Sequence, residues 1–226
     1  MTRFATSSAS PWPTWCASRR ILVLCALRLA ALVWCVCLCA CGWKSPSLPD
    51  ASSIILVKAQ GDTATVTLLT QNHGFWVEQM TTQGHVGRNG VSILKREGDG
   101  HTPMGVYTLG LAFGVAENPG CRLPYHRVTE DDCWVDDPQS RHYNTLVRAS
   151  KTQGAWRSAE RLADFVEAYR FAVAINYNPG NTPGRGSAIF LHCDTGESTA
   201  GCVAIPADDM RRLLPLLRRD TLIVIQ

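Results

Sequence analysis

Short apolar runs separated by turn residues characterise the chain immediately after residue 53. Residues 54–58 and 64–70 are rich in Ile, Leu, Val and Thr, and a Gly-Asp pair lies between them. Two such runs joined by a short turn are typical of a β-hairpin. A third strand is predicted at 75–80, followed by a glycine-rich loop at 84–90. This part of the chain is therefore predicted to form antiparallel β-structure.

A different spacing predicts an α-helix at residues 156–170. Its apolar residues keep the i, i+3, i+4, i+7 spacing of one helix face, at Leu162, Phe165, Val166 and Tyr169. A second helix is predicted at 206–217, where Pro206 lies near the first turn and its missing N–H costs little. Buried strands are predicted around these helices, at 171–177, 187–193 and 221–225.

These elements predict one domain, mainly β with two helices, over residues 54–226. Residues 110–148 contain several prolines and acidic residues and are predicted to be irregular. The Ser- and Pro-containing residues 42–53 form a linker before the domain.

Composition narrows the class of protein. The 226 residues include 22 Lys and Arg against 19 Asp and Glu, which gives a net charge of +3. The basic residues are scattered rather than clustered, so no nucleic-acid partner is expected. Six of the 10 cysteines precede residue 42, which indicates that this early segment is not part of the folded domain.

Residues 1–41 have the organisation of an export segment. Arginines precede the apolar run 29–40, whose length of about a dozen residues is typical of a secretory signal. A membrane-spanning helix needs about 20 apolar residues. Extending the run back to Ile21 reaches that length but includes Arg28, so an uncleaved signal anchor is the alternative.

The apolar run ends in a sequence that resembles a bacterial lipobox, Leu38-Cys39-Ala40-Cys41. Lipidation of Cys41 would anchor the protein to a membrane without spanning it. The alternative is an ordinary cleaved signal that is rich in cysteine. Both interpretations predict an exported protein of the periplasm or cell envelope.

A histidine and a cysteine lie on neighbouring segments near the end of the chain. The apolar residues 187–191 lead into His192, and a turn of small residues leads into Cys202 and a further apolar run. A cysteine at its usual pKa is mostly protonated at neutral pH, and the thiolate is the nucleophile. A nearby base is therefore needed, and the pair predicts acyl transfer through a thioester.

These residues resemble the L,D-transpeptidase (YkuD-like) catalytic domain of bacterial cell-wall enzymes. In that family an apolar strand ends in histidine, here His192, and a Ser/Thr-x-Gly-Cys turn follows, here residues 199–202. A Thr-Pro-x-Gly-x-aromatic element lies upstream, here within residues 98–107. The resemblance covers residues 54–226 and implies a YkuD-like β-sandwich or barrel.

The resemblance implies a role for each residue of the motif. Cys202 would attack a peptide carbonyl, and His192 would take the thiol proton and then protonate the leaving amine. The backbone N–H of Gly201 would be an oxyanion donor, together with that of Cys202, and Thr199 would support the turn. The implied substrates are peptidoglycan stem peptides, cleaved at an L-to-D bond and transferred to an amine for cell-wall cross-linking or remodelling.

The substrate groove is less well defined by the sequence. Tyr143 and Asn144 are candidates for substrate binding, with simple packing as the alternative. Many family members have His in the place of Ala200 and Arg in the place of Ala204. That arginine would bind a substrate carboxylate, and Arg185 is the candidate substitute here.

Two further cysteines bracket the irregular acidic loop. Cys121 and Cys133 are expected to form a disulfide in an oxidising compartment, and two unpaired thiols are the alternative. Cys193 follows His192 and should point to the opposite face of the strand as a buried free thiol.

No cofactor is expected, because the histidines show no metal-ligand spacing with cysteines or carboxylates. Two other functions compete with transpeptidation. The same thioester can be hydrolysed, as in an L,D-carboxypeptidase or amidase. A non-catalytic peptidoglycan-binding domain is the third interpretation, against which the intact pair of Cys202 and His192 argues.

Overall fold

The computed structural model describes residues 51–152 and 154–226. The predicted export segment 1–41, the predicted lipidation site Cys41 and the linker up to residue 50 lie outside the described residues. Within the described ranges, no helix combines the length and the apolar character needed to cross a membrane.

The described residues form a mainly β domain with one short α-helix. The strands are β1 Ser53–Gln60, β2 Thr63–Asn72, β3 Phe75–His85, β4 Val91–Ser92, β5 Thr102–Pro103, β6 Gly105–Gly114, β7 Tyr125–Arg127, β8 Asp132–Val135, β9 Leu146–Arg148, β10 Ala159–Arg161, β11 Ala172–Ile175, β12 Phe190–Cys193, β13 Val203–Ile205 and β14 Leu222–Ile225, and the helix is α1 Ala207–Leu213.

Nine strands form a closed sheet in the order β11-β12-β13-β3-β2-β1-β14-β6-β7. The sheet closes because β6 also pairs with β11, where Ala172 lies opposite Phe113. The predicted hairpin is present, since β1 and β2 pair antiparallel with Ile54 opposite Leu69. A smaller sheet has the order β10-β8-β9. The predicted fold class, a mainly β sandwich or barrel, is confirmed.

Alternate side chains of the strands fill the interior of the barrel. Ile55 and Val57 of β1 are fully buried, as are Leu191 of β12 and Val203 of β13. Successive side chains of a strand point to opposite faces, so one face of each strand enters the core. Burying one aliphatic side chain of this kind contributes about 1.5–3 kcal/mol relative to its exposure to water.

A second apolar cluster, separate from the main core, contains the candidate nucleophile. Cys202 packs there with aromatic residues, including Phe113, Phe190 and Tyr169. The ring centroids of Phe113 and Phe190 are 5.1 Å apart, edge to face. Phe190 belongs to β12, the strand that also carries His192. The segment around Cys202 is therefore held against a rigid aromatic layer.

A glycine allows β3 to approach β13 closely. A Cβ atom at Gly84 would lie 2.0 Å from the carbonyl oxygen of Ala204. His85, the next residue, pairs with Ala204 across the two strands. The predicted glycine-rich loop at 84–90 therefore begins two residues later than expected, after β3 ends at His85.

The helix predicted at 156–170 is not formed. The segment is instead β10, which pairs with β8, followed by 3₁₀ turns at Leu162–Asp164 and Ala168–Arg170. Leu162 is buried, as predicted, but Phe165 is 45% exposed. Strand pairing with β8 satisfies the backbone of β10, and the buried side chains reach the aromatic cluster from turns rather than from one helix face.

The second predicted helix is present in a shorter form. α1 begins after Pro206, and a 3₁₀ turn at Leu214–Leu216 follows it directly. Pro215 lies in this turn, as expected of a residue that cannot continue the α-helical hydrogen bonds. The segment 110–148 is more regular than predicted, because the end of β6 and all of β7, β8 and β9 lie in it.

The predicted disulfide between Cys121 and Cys133 is not formed. Cys121 packs in the main barrel core. Cys133 belongs to β8, in the smaller sheet, where it pairs with Val147 of β9. Both thiols are free and buried. Each cysteine is therefore a small apolar residue in its own part of the core.

Candidate active site

The turn that presents Cys202 is held by two threonine hydroxyls. Thr199 Oγ1 donates to the carbonyl oxygen of Cys202 at 2.7 Å, and Thr102 Oγ1 donates to the same oxygen at 2.9 Å. The backbone of Thr199 bonds to the neighbouring segment, to Val86 at 2.9 Å and from Arg88 at 2.9 Å. The turn is thereby fixed from both sides before β13 begins.

Glycine is required at position 201 of this turn. Gly201 has a φ of +154°, a conformation that residues with side chains rarely adopt, and an added Cβ would lie 3.0 Å from the carbonyl oxygen of His101. Its N–H donates to Thr199 Oγ1 at 3.1 Å. The predicted oxyanion donor Gly201 is therefore engaged within the turn. The N–H of Cys202 donates to no acceptor among the described residues and is the remaining backbone donor.

The Cys202 thiol is buried and bonded to backbone atoms of the segment before and at the start of β12. It donates to the carbonyl oxygen of Ala188 at 3.2 Å, and its sulfur accepts from the N–H of Phe190 at 3.3 Å. Burial and the nearby charge of Glu160 raise the pKa of the thiol to about 12. The thiol is therefore protonated at neutral pH and would need a base before it could act as a nucleophile.

His192 is buried one strand away from Cys202 as a neutral imidazole. Its Nδ1 lies 2.8 Å from the carbonyl oxygen of Cys193, which assigns the ring proton to Nδ1 and leaves Nε2 as the acceptor. Burial lowers the pKa of His192, although this hydrogen bond opposes the effect. The hydrogen bonds of the thiol are made to Ala188 and Phe190 rather than to His192. Catalytic hydrogen bonds of this kind often form only with substrate bound.

A cavity of about 210 Å³ opens beside Cys202. Its wall contains the turn residues Ala200 and Gly201, the segment 187–189, and four charged side chains at Lys95, Glu97, Asp136 and Glu160. A larger open cavity of about 470 Å³ lies elsewhere on the domain and contains neither Cys202 nor His192 in its wall. The smaller cavity is the candidate active site because its wall contains Cys202, the candidate nucleophile.

Three of the four charged side chains in the wall of the Cys202 cavity are carboxyl groups, and the fourth, Lys95, is paired with Asp99. Lys95 Nζ is neutralised by Asp99 at 2.6 Å and also donates to the carbonyl oxygen of Arg96 at 2.8 Å. Glu97 and Asp136 have no such basic partner among the described residues. One oxygen of Asp136, Oδ1, is buried without a hydrogen-bond partner.

None of the four charged side chains of this wall was a candidate from the sequence, and Glu160 is the one whose pKa is raised. It lies in β10, and the hydroxyl of Tyr169 donates to its Oε2 at 2.5 Å. Burial raises the pKa of Glu160 to about 7, the Tyr169 hydrogen bond lowers it, and the charges of Asp136 and Glu97 raise it further. The predicted helix would place Glu160 on a polar face, so no signal in the sequence indicated a half-buried carboxyl group beside Cys202.

Tyr143 and Asn144 support the site from behind rather than line its cavity. Tyr143 is 2% exposed, and its hydroxyl donates to Glu97 and accepts from the N–H of Gly186 at 3.1 Å. Asn144 Oδ1 accepts from the N–H of Ala188 at 3.1 Å. Both residues therefore hold the segment that contains Ala188, whose carbonyl oxygen bonds the Cys202 thiol. This is a packing role, the alternative to substrate binding.

Arg185 does not line the cavity beside Cys202. It is exposed and lines a different cavity together with residues such as Ile93 and Pro183. Its backbone carbonyl accepts from the hydroxyl of Tyr177 at 2.8 Å. The guanidinium is thus not placed to substitute for a carboxylate-binding arginine in the Cys202 cavity.

Cys193 is a buried free thiol on the other face of β12, as predicted. It packs in the main core, whereas Cys202 packs in the second cluster. Burial raises the pKa of Cys193 to about 11, and its sulfur lies 3.5 Å from the carbonyl oxygen of Phe171. Cys193 is therefore a matched structural control for Cys202.

Comparison with known proteins gives one family match. A family model described as the L,D-transpeptidase catalytic domain (YkuD) matches residues 62–225. The structure is similar to that of Bdellovibrio bacteriovorus Bd1075, with 16% sequence identity and a TM-score of 0.43. The similarity covers 80% of this chain and 50% of that one, so this chain spans about half the length of the Bdellovibrio chain. No curated protein has a significantly similar sequence.

Proposed function

The chain belongs to the L,D-transpeptidase catalytic domain family, and from this membership we propose that it is a cysteine acyltransferase acting on peptidoglycan stem peptides. The observation that carries the proposal is the position of Cys202. The hydroxyls of Thr102 and Thr199 hold its carbonyl oxygen at the wall of a cavity. Its N–H has no acceptor among the described residues. The family membership supports the class of reaction and the cell-wall substrate, and this geometry supports the choice of nucleophile.

The first half-reaction acylates the enzyme. The proton of the Cys202 thiol passes to Nε2 of His192, and the sulfur attacks the carbonyl carbon of an L-to-D peptide bond. The N–H of Cys202 stabilises the oxyanion that forms. The C–N bond then breaks, the departing amine gains one proton, and a thioester remains on Cys202.

The second half-reaction releases the acyl group. An amine on another stem peptide or protein attacks the thioester, which forms a new amide and returns the electron pair of the C–S bond to sulfur. Exchange of one amide for another needs no ATP, which suits a reaction outside the cytoplasm. Attack by water instead gives the L,D-carboxypeptidase or amidase reaction on the same intermediate.

The protein acts in the periplasm or cell envelope under this proposal, held at a membrane by a lipid on Cys41 or by an uncleaved signal anchor. The basic and apolar order of residues 1–41 supports export, and the lipobox-like sequence supports lipidation. Mass spectrometry of the mature N-terminus tests this part. A terminal residue after Cys41 without lipid would contradict lipidation.

The catalytic proposal is tested with the full chain and purified muropeptides. The wild type is expected to form a covalent acyl adduct on Cys202, detected by intact-protein mass and peptide mapping, and to release cross-linked or trimmed products. Cys202→Ala should abolish both, whereas Cys193→Ser, a change to the buried thiol of the neighbouring strand β12, should retain both. Equal products from the wild type and Cys202→Ala would show that Cys202 is not the nucleophile, and the absence of products and adduct from the wild type would leave only the non-catalytic binding function.

A further inference from the structure

The half-buried carboxyl group of Glu160 and the buried side chain of Tyr169 form a hydrogen-bonded acid pair, with Glu160 on the wall of the Cys202 cavity. The Tyr169 hydroxyl donates to Glu160 Oε2 at 2.5 Å. The Tyr169 ring packs edge-on against His192, with centroids 5.7 Å apart, and against Phe190 at 5.6 Å. The carboxyl group of Glu160 is therefore fixed relative to β12, the strand that carries both His192 and a backbone partner of the Cys202 thiol.

The cavity wall offers few other groups for proton transfer. Glu97 Oε2 already accepts from the hydroxyls of Tyr143 and Ser187. Lys95 is held by Asp99. Asp136 Oδ1 has no hydrogen-bond partner among the described residues, but that oxygen is buried. His192 is not part of the cavity wall. Glu160 is therefore the group best placed to meet an amine that enters or leaves through the cavity.

The electrostatics of the cavity favour proton exchange at Glu160 near neutral pH. Burial raises the pKa of its carboxyl group to about 7, and the charges of Asp136 and Glu97 act in the same direction. The Tyr169 hydrogen bond acts in the opposite direction. An acid–base group is most effective when its pKa lies near the working pH, because both protonation states are then available.

We propose that Glu160 is the acid–base catalyst of the amine side of the reaction, while His192 serves the thiol side. This assignment rests on the proposed acyltransferase function. Leaving and entering amines occupy equivalent positions in amide exchange, so the group that protonates the first also deprotonates the second.

The proton transfers balance over the two half-reactions. During acylation His192 takes the thiol proton, and protonated Glu160 gives its proton to the amine as the C–N bond breaks. During deacylation the Glu160 carboxylate takes a proton from the entering amine or water as the new bond forms. The C–S bond breaks, and the sulfur regains a proton from His192. Both residues return to their starting states.

The proposal is tested by varying the leaving group. Two donors with the same acyl portion are compared in the full chain, a peptide amide and an activated p-nitrophenyl ester, whose departing phenolate needs no proton. Glu160→Gln keeps an acceptor for Tyr169 but cannot donate or accept the proton. Glu160→Gln should slow acylation by the amide by about 10²- to 10⁴-fold relative to wild type. The rate of acylation by the ester should stay within about threefold of wild type, because its leaving group needs no general acid.

A pH profile gives the second readout. The rate of amide acylation by the wild type should fall as the pH rises through about 7, because the protonated fraction of Glu160 decreases around its pKa. Tyr169→Phe removes the hydrogen bond that lowers the pKa of Glu160, so the falling limb should move to higher pH. Glu160→Gln should lose this limb. Glu130→Gln, an exposed carboxyl outside the cavity, is the matched control and should behave as wild type.

The outcomes separate this inference from the function on which it rests. Equal loss of amide and ester acylation in Glu160→Gln would indicate a structural role and overturn the assignment. Retention of amide acylation by Glu160→Gln would overturn it too. If the wild type acylates Cys202 with neither donor, the proposed acyltransferase function itself is wrong.

Discussion

The hydroxyl of Thr102 donates a hydrogen bond to the carbonyl oxygen of Cys202, 100 residues later in the chain, at 2.9 Å. The same hydroxyl oxygen accepts the N–H of Gly87 at 2.8 Å. The upstream Thr-Pro-x-Gly element and the cysteine turn are therefore parts of one structure. This contact explains physically why a nucleophile near the end of the chain is associated with a threonine far upstream.

Thr102→Val should reduce both stability and turnover. The valine is similar in size but leaves the buried N–H of Gly87 without a partner, which costs about 1–3 kcal/mol. It also removes one of the two hydroxyls that hold the Cys202 carbonyl, so kcat should fall. Urea unfolding and steady-state kinetics check the two effects. Thr102→Ser keeps the hydroxyl and should restore most of both; equal values for wild type and Thr102→Val would contradict the role given to this contact.

Gly201→Ala should cost more than the same change at a glycine in open space. The added Cβ at position 201 meets the His101 carbonyl at 3.0 Å, at a φ of +154°. Gly196 also has a positive φ, +88°, but a Cβ there meets nothing within 4 Å. Gly196→Ala is therefore expected to lose only about 1–3 kcal/mol from backbone strain. Unfolding free energies and the rate of Cys202 acylation distinguish the two, and equal losses would exclude a steric requirement at the cysteine turn.

The candidate catalytic residues and the hairpin were predicted from short continuous patterns in the sequence. An apolar run precedes His192, and a turn of small residues precedes Cys202. β-branched residues on both sides of Gly61 predict β1 and β2. These signals depend on neighbours in the chain. The structure confirms the hairpin and places both candidate catalytic residues in adjacent, parallel strands or at the turn between them.

The misassigned segment depends on a partner distant in sequence. Leu162 and Tyr169 have helical spacing, yet pairing of β10 with β8 determines the backbone around them. Spacing alone cannot report this pairing, because the partner strand lies in a stretch predicted to be irregular. Glu160 was not predicted for the same reason, since its half-buried position on the cavity wall follows from β10 and not from a helix face.

Asn144→Ala should impair the site without removing a substrate contact. Asn144 Oδ1 holds the N–H of Ala188, which has a strained φ of +51° and whose carbonyl bonds the Cys202 thiol. Loss of this support should lower kcat more than it raises KM, and lower stability. Arg185→Ala should change neither, because Arg185 is exposed outside the Cys202 cavity. A rise in KM without a fall in kcat, for Asn144→Ala or for Arg185→Ala, would indicate that the substituted residue binds substrate.

Glu160 should make the protein less stable as the pH rises towards neutral. Burial raises the pKa of its carboxyl group from 4.5 to about 7 in the folded state, so the folded protein binds more protons than the unfolded chain between these values. Stability from this group is therefore fully present below about pH 4.5 and is lost as the pH rises through about 7. The loss is on the order of 3–4 kcal/mol, because the pKa rises from 4.5 to about 7 and each pKa unit corresponds to about 1.4 kcal/mol.

Glu160→Gln should remove this pH dependence, because the amide stays neutral and still accepts the Tyr169 hydrogen bond. Urea unfolding of the full chain at pH 5 and pH 8 measures the effect as a difference between the two conditions. The variant should gain stability relative to wild type at pH 8 and show little difference at pH 5, whereas the exposed control Glu130→Gln should follow wild type at both. A parallel pH dependence in Glu160→Gln and wild type would mean that the carboxyl group titrates at its ordinary pKa, and the acid–base role on the amine side would lose its electrostatic basis.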